Sequence, residues 1–143
     1  MPAEGGAAVQ VTLGGGWARK ESWDGRHLYY YLSTDRSGIW RAPVGGGEET
    51  EVVRGPVDGN RGFDLSPTGL YYATEREGIA GRTSVYTISF LDFESGQVTE
   101  LFRREGPFFT FHGDLAVSPD EEWILYGDMP GATSELMLVE NFR

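Results

Sequence analysis

The sequence predicts an all-β fold of repeated four-stranded sheets, and three observations carry that prediction. One phrase recurs three times, as Ser22-Trp23-Asp24-Gly25-Arg26-His27-Leu28-Tyr29-Tyr30, Ser66-Pro67-Thr68-Gly69-Leu70-Tyr71-Tyr72 and Ser118-Pro119-Asp120-Glu121-Glu122-Trp123-Ile124-Leu125-Tyr126. Its serines stand 44 and 52 residues apart, close to the period of about 40–50 residues that a four-stranded propeller blade requires. Apolar residues fall in short alternating or aromatic runs bounded by glycine and proline, with none of the 3.6-residue periodicity of a helix.

The elements follow the phrase in a fixed order. A first strand is predicted at 16–21, 60–65 and 111–117, then a tight turn on Pro, Asp or Gly, then an aromatic second strand at 27–32, 69–74 and 122–127. Polar turns follow at 33–38, 75–81 and 128–131, and a third strand at 38–43, 83–91 and 134–140. A fourth strand, at 49–54 and 97–103, comes after the hairpins Gly45-Gly46-Gly47 and Glu94-Ser95-Gly96.

Residues 1–12 match residues 42–53, so the chain is expected to open with a fourth strand. The last repeat is expected to end after its third strand at Glu140-Asn141-Phe142-Arg143. The domain reading is therefore a single propeller segment of three four-stranded blades: 1–13 a fourth strand closing the last blade, 14–54 and 55–104 complete blades, and 105–143 three strands of the last blade. Three blades are too few to close a ring, since propellers have about 4–8. The sequence thus predicts a homodimer of six blades, in which 9–12 of each chain pair with 134–140 of the other as identical head-to-tail contacts.

Composition narrows the function classes. The chain has 143 residues, 12 basic and 22 acidic side chains, a net charge of −10 and no cysteine. Such a balance opposes binding to a nucleic-acid backbone, which needs a basic face. No apolar run approaches the roughly 20 residues of a membrane helix, and the first residues show neither the basic nor the apolar region expected of a signal peptide. Absence of cysteine excludes thiolate catalysis, disulfides and Cys-ligated zinc within the chain.

Several stretches then resemble a known family. Residues 21–31, Gly38-Ile39-Trp40-Arg41-Ala42-Pro43-Val44-Gly45-Gly46-Gly47-Glu48-Glu49, Asp92-Phe93-Glu94-Ser95-Gly96-Gln97-Val98-Thr99 and Leu115-Ala116-Val117-Ser118-Pro119-Asp120 resemble the WD40-like repeats of TolB-type bacterial β-propellers. Residues 135–143 are similar to the end of bacterial winged-helix regulators that carry such a propeller. The resemblance implies a propeller fold and a non-catalytic scaffold or sensor-type module for a small polar ligand, a peptide or a protein. The alternatives are a substrate-gating propeller fragment of a hydrolase, or a fragment whose only activity is self-assembly.

No catalytic residue, metal ligand set or cofactor site is expected. A nucleophile occurs once, whereas Ser22, Ser66 and Ser118 recur with the repeat and suit turn hydrogen bonds. Gly14-Gly15-Gly16 and Gly45-Gly46-Gly47 lack the Lys-Ser/Thr and helix of a phosphate loop. His27 and His112 are the only histidines, fewer than a metal site usually gathers. The alignment instead predicts a ligand-binding channel entrance at Trp17, Arg61, His112 and Asp114, with Arg19 and Asp64 deeper. Arg19 interrupts a position that the other two repeats fill with Phe63 and Leu115.

Overall fold

The computed structural model describes residues 8, 10–32, 37–55, 57, 62–77, 83–107, 115–128 and 135–140. Within them the chain forms strands and turns and no helix. The strands are β1 (Trp17–Glu21), β2 (His27–Leu32), β3 (Gly38–Pro43), β4 (Thr50–Arg54), β5 (Phe63–Leu65), β6 (Gly69–Glu77), β7 (Thr83–Asp92), β8 (Val98–Pro107), β9 (Leu115–Val117), β10 (Trp123–Asp128) and β11 (Glu135–Glu140). They pair as three antiparallel sheets in chain order, β1-β2-β3-β4, β5-β6-β7-β8 and the three-stranded β9-β10-β11. Each predicted strand from 16–21 onward has a counterpart.

Two differences concern where strands stop. Residues 75–77, read as a polar turn, continue β6 and pair with Tyr86, Val85 and Ser84 of β7. The ladder outruns the apolar pattern because backbone pairing does not require apolar side chains. The Thr74 and Thr87 hydroxyls also meet across the strands at 2.6 Å. Of the predicted opening strand, residues 10–12 belong to no sheet of the single chain, and residues 1–7 and 9 lie outside the described residues.

The chain divides into two compact units, Met1–Gly55 and Pro56–Arg143. In the first, Tyr30, Leu32 and Ala42 form a buried cluster on one face of the sheet, joined by Trp40 and Val11. Val11 thus packs on its own sheet, and the Leu13 amide donates to Glu49 Oε1 at 2.9 Å. An apolar residue outside a ladder still removes its surface from water by lying on a sheet face.

In the second unit, Tyr71, Ile88, Leu115, Ile124 and Tyr126 make the core between sheets β5–β8 and β9–β11, with Phe90, Phe102, Met137 and Val139 around it. The rings of Tyr71 and Phe90 lie 4.6 Å apart, and those of Phe102 and Tyr126 5.6 Å apart. Burial pushes the Tyr126 phenol above its ordinary pKa. A Cβ at Gly69 would overlap the Phe90 ring and the Leu91 carbonyl oxygen, so only glycine lets β6 lie this close to β7.

Both four-stranded sheets carry the same irregularity in the fourth strand. Trp40 pairs with Glu51 and Ile39 with Val53, leaving Val52 as an extra residue. Ser89 pairs with Glu100 and Ile88 with Phe102, leaving Leu101 extra. Both are β-bulges, which bend the bulged strand and increase its twist. An ion pair spans each bulge: Arg54 to Glu51 at 3.1 Å, and Arg103 to Glu100 at 3.8 Å.

Candidate functional site

The three repeated turns are built alike from side-chain oxygens. Ser22 Oγ accepts the His27 amide at 2.9 Å and donates to Asp24 Oδ1 at 2.6 Å, which also accepts the Arg26 amide at 3.1 Å. Ser118 Oγ likewise accepts the Trp123 amide at 2.9 Å and donates to Asp120, which accepts the Glu122 amide at 3.1 Å. Ser66 Oγ accepts the amides of Thr68 at 3.2 Å and Gly69 at 3.0 Å. The hydroxyls that a nucleophile reading would need are thus used to hold the turns.

These bonds also set the acid behaviour. The Ser22 hydroxyl first, then the Arg26 amide, holds Asp24 below its ordinary pKa, and the Ser118 hydroxyl and Glu122 amide do the same for Asp120. Asp92 is lowered by the amide and then the hydroxyl of Ser95. A carboxylate lowered on folding stabilises the fold above its unfolded pKa of about 3.9, and that contribution is lost as pH falls through the folded value. Melting temperature should therefore fall below about pH 4, and the decline should be shallower when Asp24, Asp92 and Asp120 are all changed to Asn. Thermal melts from pH 6 to pH 2.5 check this; parallel acid limbs would contradict it.

Of the predicted channel residues, Arg61, His112 and Asp114 lie outside the described residues. Trp17 opens β1 and is 68% exposed. Arg19 is the extra residue where the β1–β2 register shifts between Ala18 and Lys20. Asp64 is buried in β5, with Oδ1 accepting the Leu65 amide at 2.8 Å and Oδ2 accepting the Val117 amide of β9 at 3.0 Å. Its carboxylate thereby ties the first strands of two neighbouring sheets together.

A second buried carboxylate was not legible as a site residue. Glu121 is 8% exposed and adopts φ 59°, a left-handed conformation that glycine and occasionally asparagine or aspartate visit and that is costly for other residues. The equivalent turn position in the first sheet is Gly25, with φ 69°. Glu121 accepts the Thr68 hydroxyl at 3.0 Å on both oxygens and the buried Tyr71 hydroxyl at 2.8 Å on Oε2. Such a conformation persists where surrounding bonds over-determine it. The recurrence of the turn phrase with Glu in the glycine position was the available signal.

The third sheet presents the most conspicuous surface. Register places Leu125 opposite Ala116 on one side and Leu138 on the other, with Trp123 opposite Glu140 and Gly127 opposite Leu136. Alternation sends Ile124, Tyr126, Met137 and Val139 to the core face and the other set to the far face. There Leu136 is 77% exposed, Leu138 55%, Leu125 39% and Trp123 37%. A strand apolar on both faces suits a sheet covered on both sides, and contiguous apolar patches mark interaction sites.

The outer strands differ in edge chemistry. β4 and β8 carry the Glu–Arg pairs described above, a common protection against edge-to-edge association. Between Glu135 and Glu140, β11 carries only Leu136, Met137, Leu138 and Val139. Among the described residues β11 pairs with β10 alone.

Among the described residues, no group of three or more His, Asp or Glu could hold a metal ion. No described helix is long and apolar enough to cross a membrane. Comparison with protein-family models and with the curated proteins finds no match for this chain.

Proposed function

We propose that this chain is a non-catalytic β-propeller module, resembling WD40-like (TolB-type) repeats, whose three sheets act as blades. In this reading it self-assembles into a closed six-bladed homodimer that binds a small polar ligand, a peptide or a protein. The observation that carries self-assembly is the exposed far face of β10 and β11, with Trp123, Leu125, Leu136 and Leu138 on one side of one sheet. Face-to-face packing of such sheets about an axis needs at least four blades, so a ring built from this chain alone takes a second copy. Burying each large side chain would stabilise the contact by about 1.5–3 kcal/mol before the costs of association.

Light scattering on the purified chain tests the reading. Twice the chain mass is expected, and Leu136→Asp together with Leu138→Asp should reduce it to the single-chain mass with the far-ultraviolet spectrum unchanged. Both leucines face away from the core of the second unit, so the substitutions leave that core intact. A single-chain mass for the unaltered protein at all concentrations would refute self-assembly.

A further inference from the structure

We infer that residues 9–12 of a second copy add to the outer side of β11 in one defined register, with Val11 as the bulged residue. The inference rests on the self-assembly proposed above and specifies its seam. It follows from the coincidence of the two bulges. Ala42 lies opposite Leu28, and Leu91 lies opposite Leu70, which fixes the third strands against each other in the repeat. On that alignment, the shift between Ile39 and Trp40 and the shift between Ile88 and Ser89 fall at the same position.

The same alignment extends to β11, where Val139 lies opposite Ile124, the equivalent of Leu28 and Leu70. Met137 then occupies the place of Trp40 and Ser89, and Leu136 that of Ile39 and Ile88. On the fourth strand, Thr50-Glu51-Val52-Val53 corresponds to Thr99-Glu100-Leu101-Phe102, with Val52 and Leu101 bulged. Val9-Gln10-Val11-Thr12 is the matching segment. Transferring the pairing sets Val9 opposite Leu138, Gln10 opposite Met137 and Thr12 opposite Leu136, with Val11 left over.

The edge chemistry of the added strand would differ from that of β4 and β8. Gln10 takes the place of Glu51 and Glu100, and Leu13 that of Arg54 and Arg103, so the added strand lacks the charged pair that the other two outer strands carry. The segment must leave its own sheet to pair with the other copy. It would give up the Val11 contact and the Leu13–Glu49 hydrogen bond for a ladder of backbone bonds along β11.

The chain has no cysteine, which makes single-cysteine pairs a direct test. Two differently tagged chains, each with one substitution, are co-expressed, purified together and oxidised, and the mixed disulfide is measured by intact mass. Directly opposed residues bring their Cβ atoms to about 4.5–5.5 Å, and a one-residue slip sends them to opposite faces. Gln10→Cys with Met137→Cys, and Val9→Cys with Leu138→Cys, should link at least ten times more than Gln10→Cys with Leu138→Cys or Val9→Cys with Met137→Cys. A double-mass assembly without this pattern overturns the strand inference and leaves self-assembly standing. A single-chain mass with no cross-link overturns both.

Discussion

Replacing Asp64 by alanine should lower the unfolding free energy by about 2–4 kcal/mol, because two backbone amides lose a charged acceptor at once. The Leu65 amide is bonded within β5, and the Val117 amide within β9 of the next sheet. Asp64 is buried, so water does not readily replace the carboxylate. Asparagine has the same shape but only one oxygen, and its amide nitrogen would face an N–H group. Asp64→Asn should therefore recover only part of the loss. Urea unfolding with an unchanged m-value measures both differences. A wild-type midpoint for Asp64→Ala would show that the carboxylate carries no weight between the sheets.

Glu121→Ala should cost a comparable amount, about 2–4 kcal/mol, for a different set of reasons. It removes the acceptor of the buried Tyr71 hydroxyl and of Thr68 while keeping a Cβ in the left-handed region. Glu121→Gly removes the same acceptor but relieves the backbone, and should be less destabilising than alanine by about 1 kcal/mol. Glu121→Gln keeps one oxygen and should fall between the wild type and alanine. A double-mutant cycle with Tyr71→Phe isolates the hydroxyl–carboxylate bond from the backbone effect. Equal stability of the alanine and glycine variants would contradict a strained Glu121.

The strand pattern was legible because it rests on local chemistry. Ser22, Ser66 and Ser118 announce the turns, and the aromatic runs after them announce the second strands. Extension of β6 through Glu77 was not legible, because charge alone suggested a turn where the ladder in fact continues. The roles of Asp64 and Glu121 were hidden for another reason. Each is defined by a partner about fifty residues away, Val117 for Asp64 and Tyr71 and Thr68 for Glu121, and no spacing within a single repeat specifies that distance.

The opening segment has more than one apolar surface open to it. Residues 9–12 have the composition of a fourth strand, yet Val11 lies on the Tyr30, Leu32 and Ala42 cluster of its own unit. A short apolar segment fits any apolar face within its reach. Composition fixes the kind of surface it seeks and leaves the choice between surfaces to geometry.

The paired bulges at Val52 and Leu101 have a consequence for how such chains fail. Amyloid grows by stacking flat, in-register ribbons whose backbones repeat at about 4.7–4.8 Å. A rim kinked at one residue and crossed there by a Glu–Arg pair is a poor flat template, so the β4 and β8 edges should resist in-register stacking.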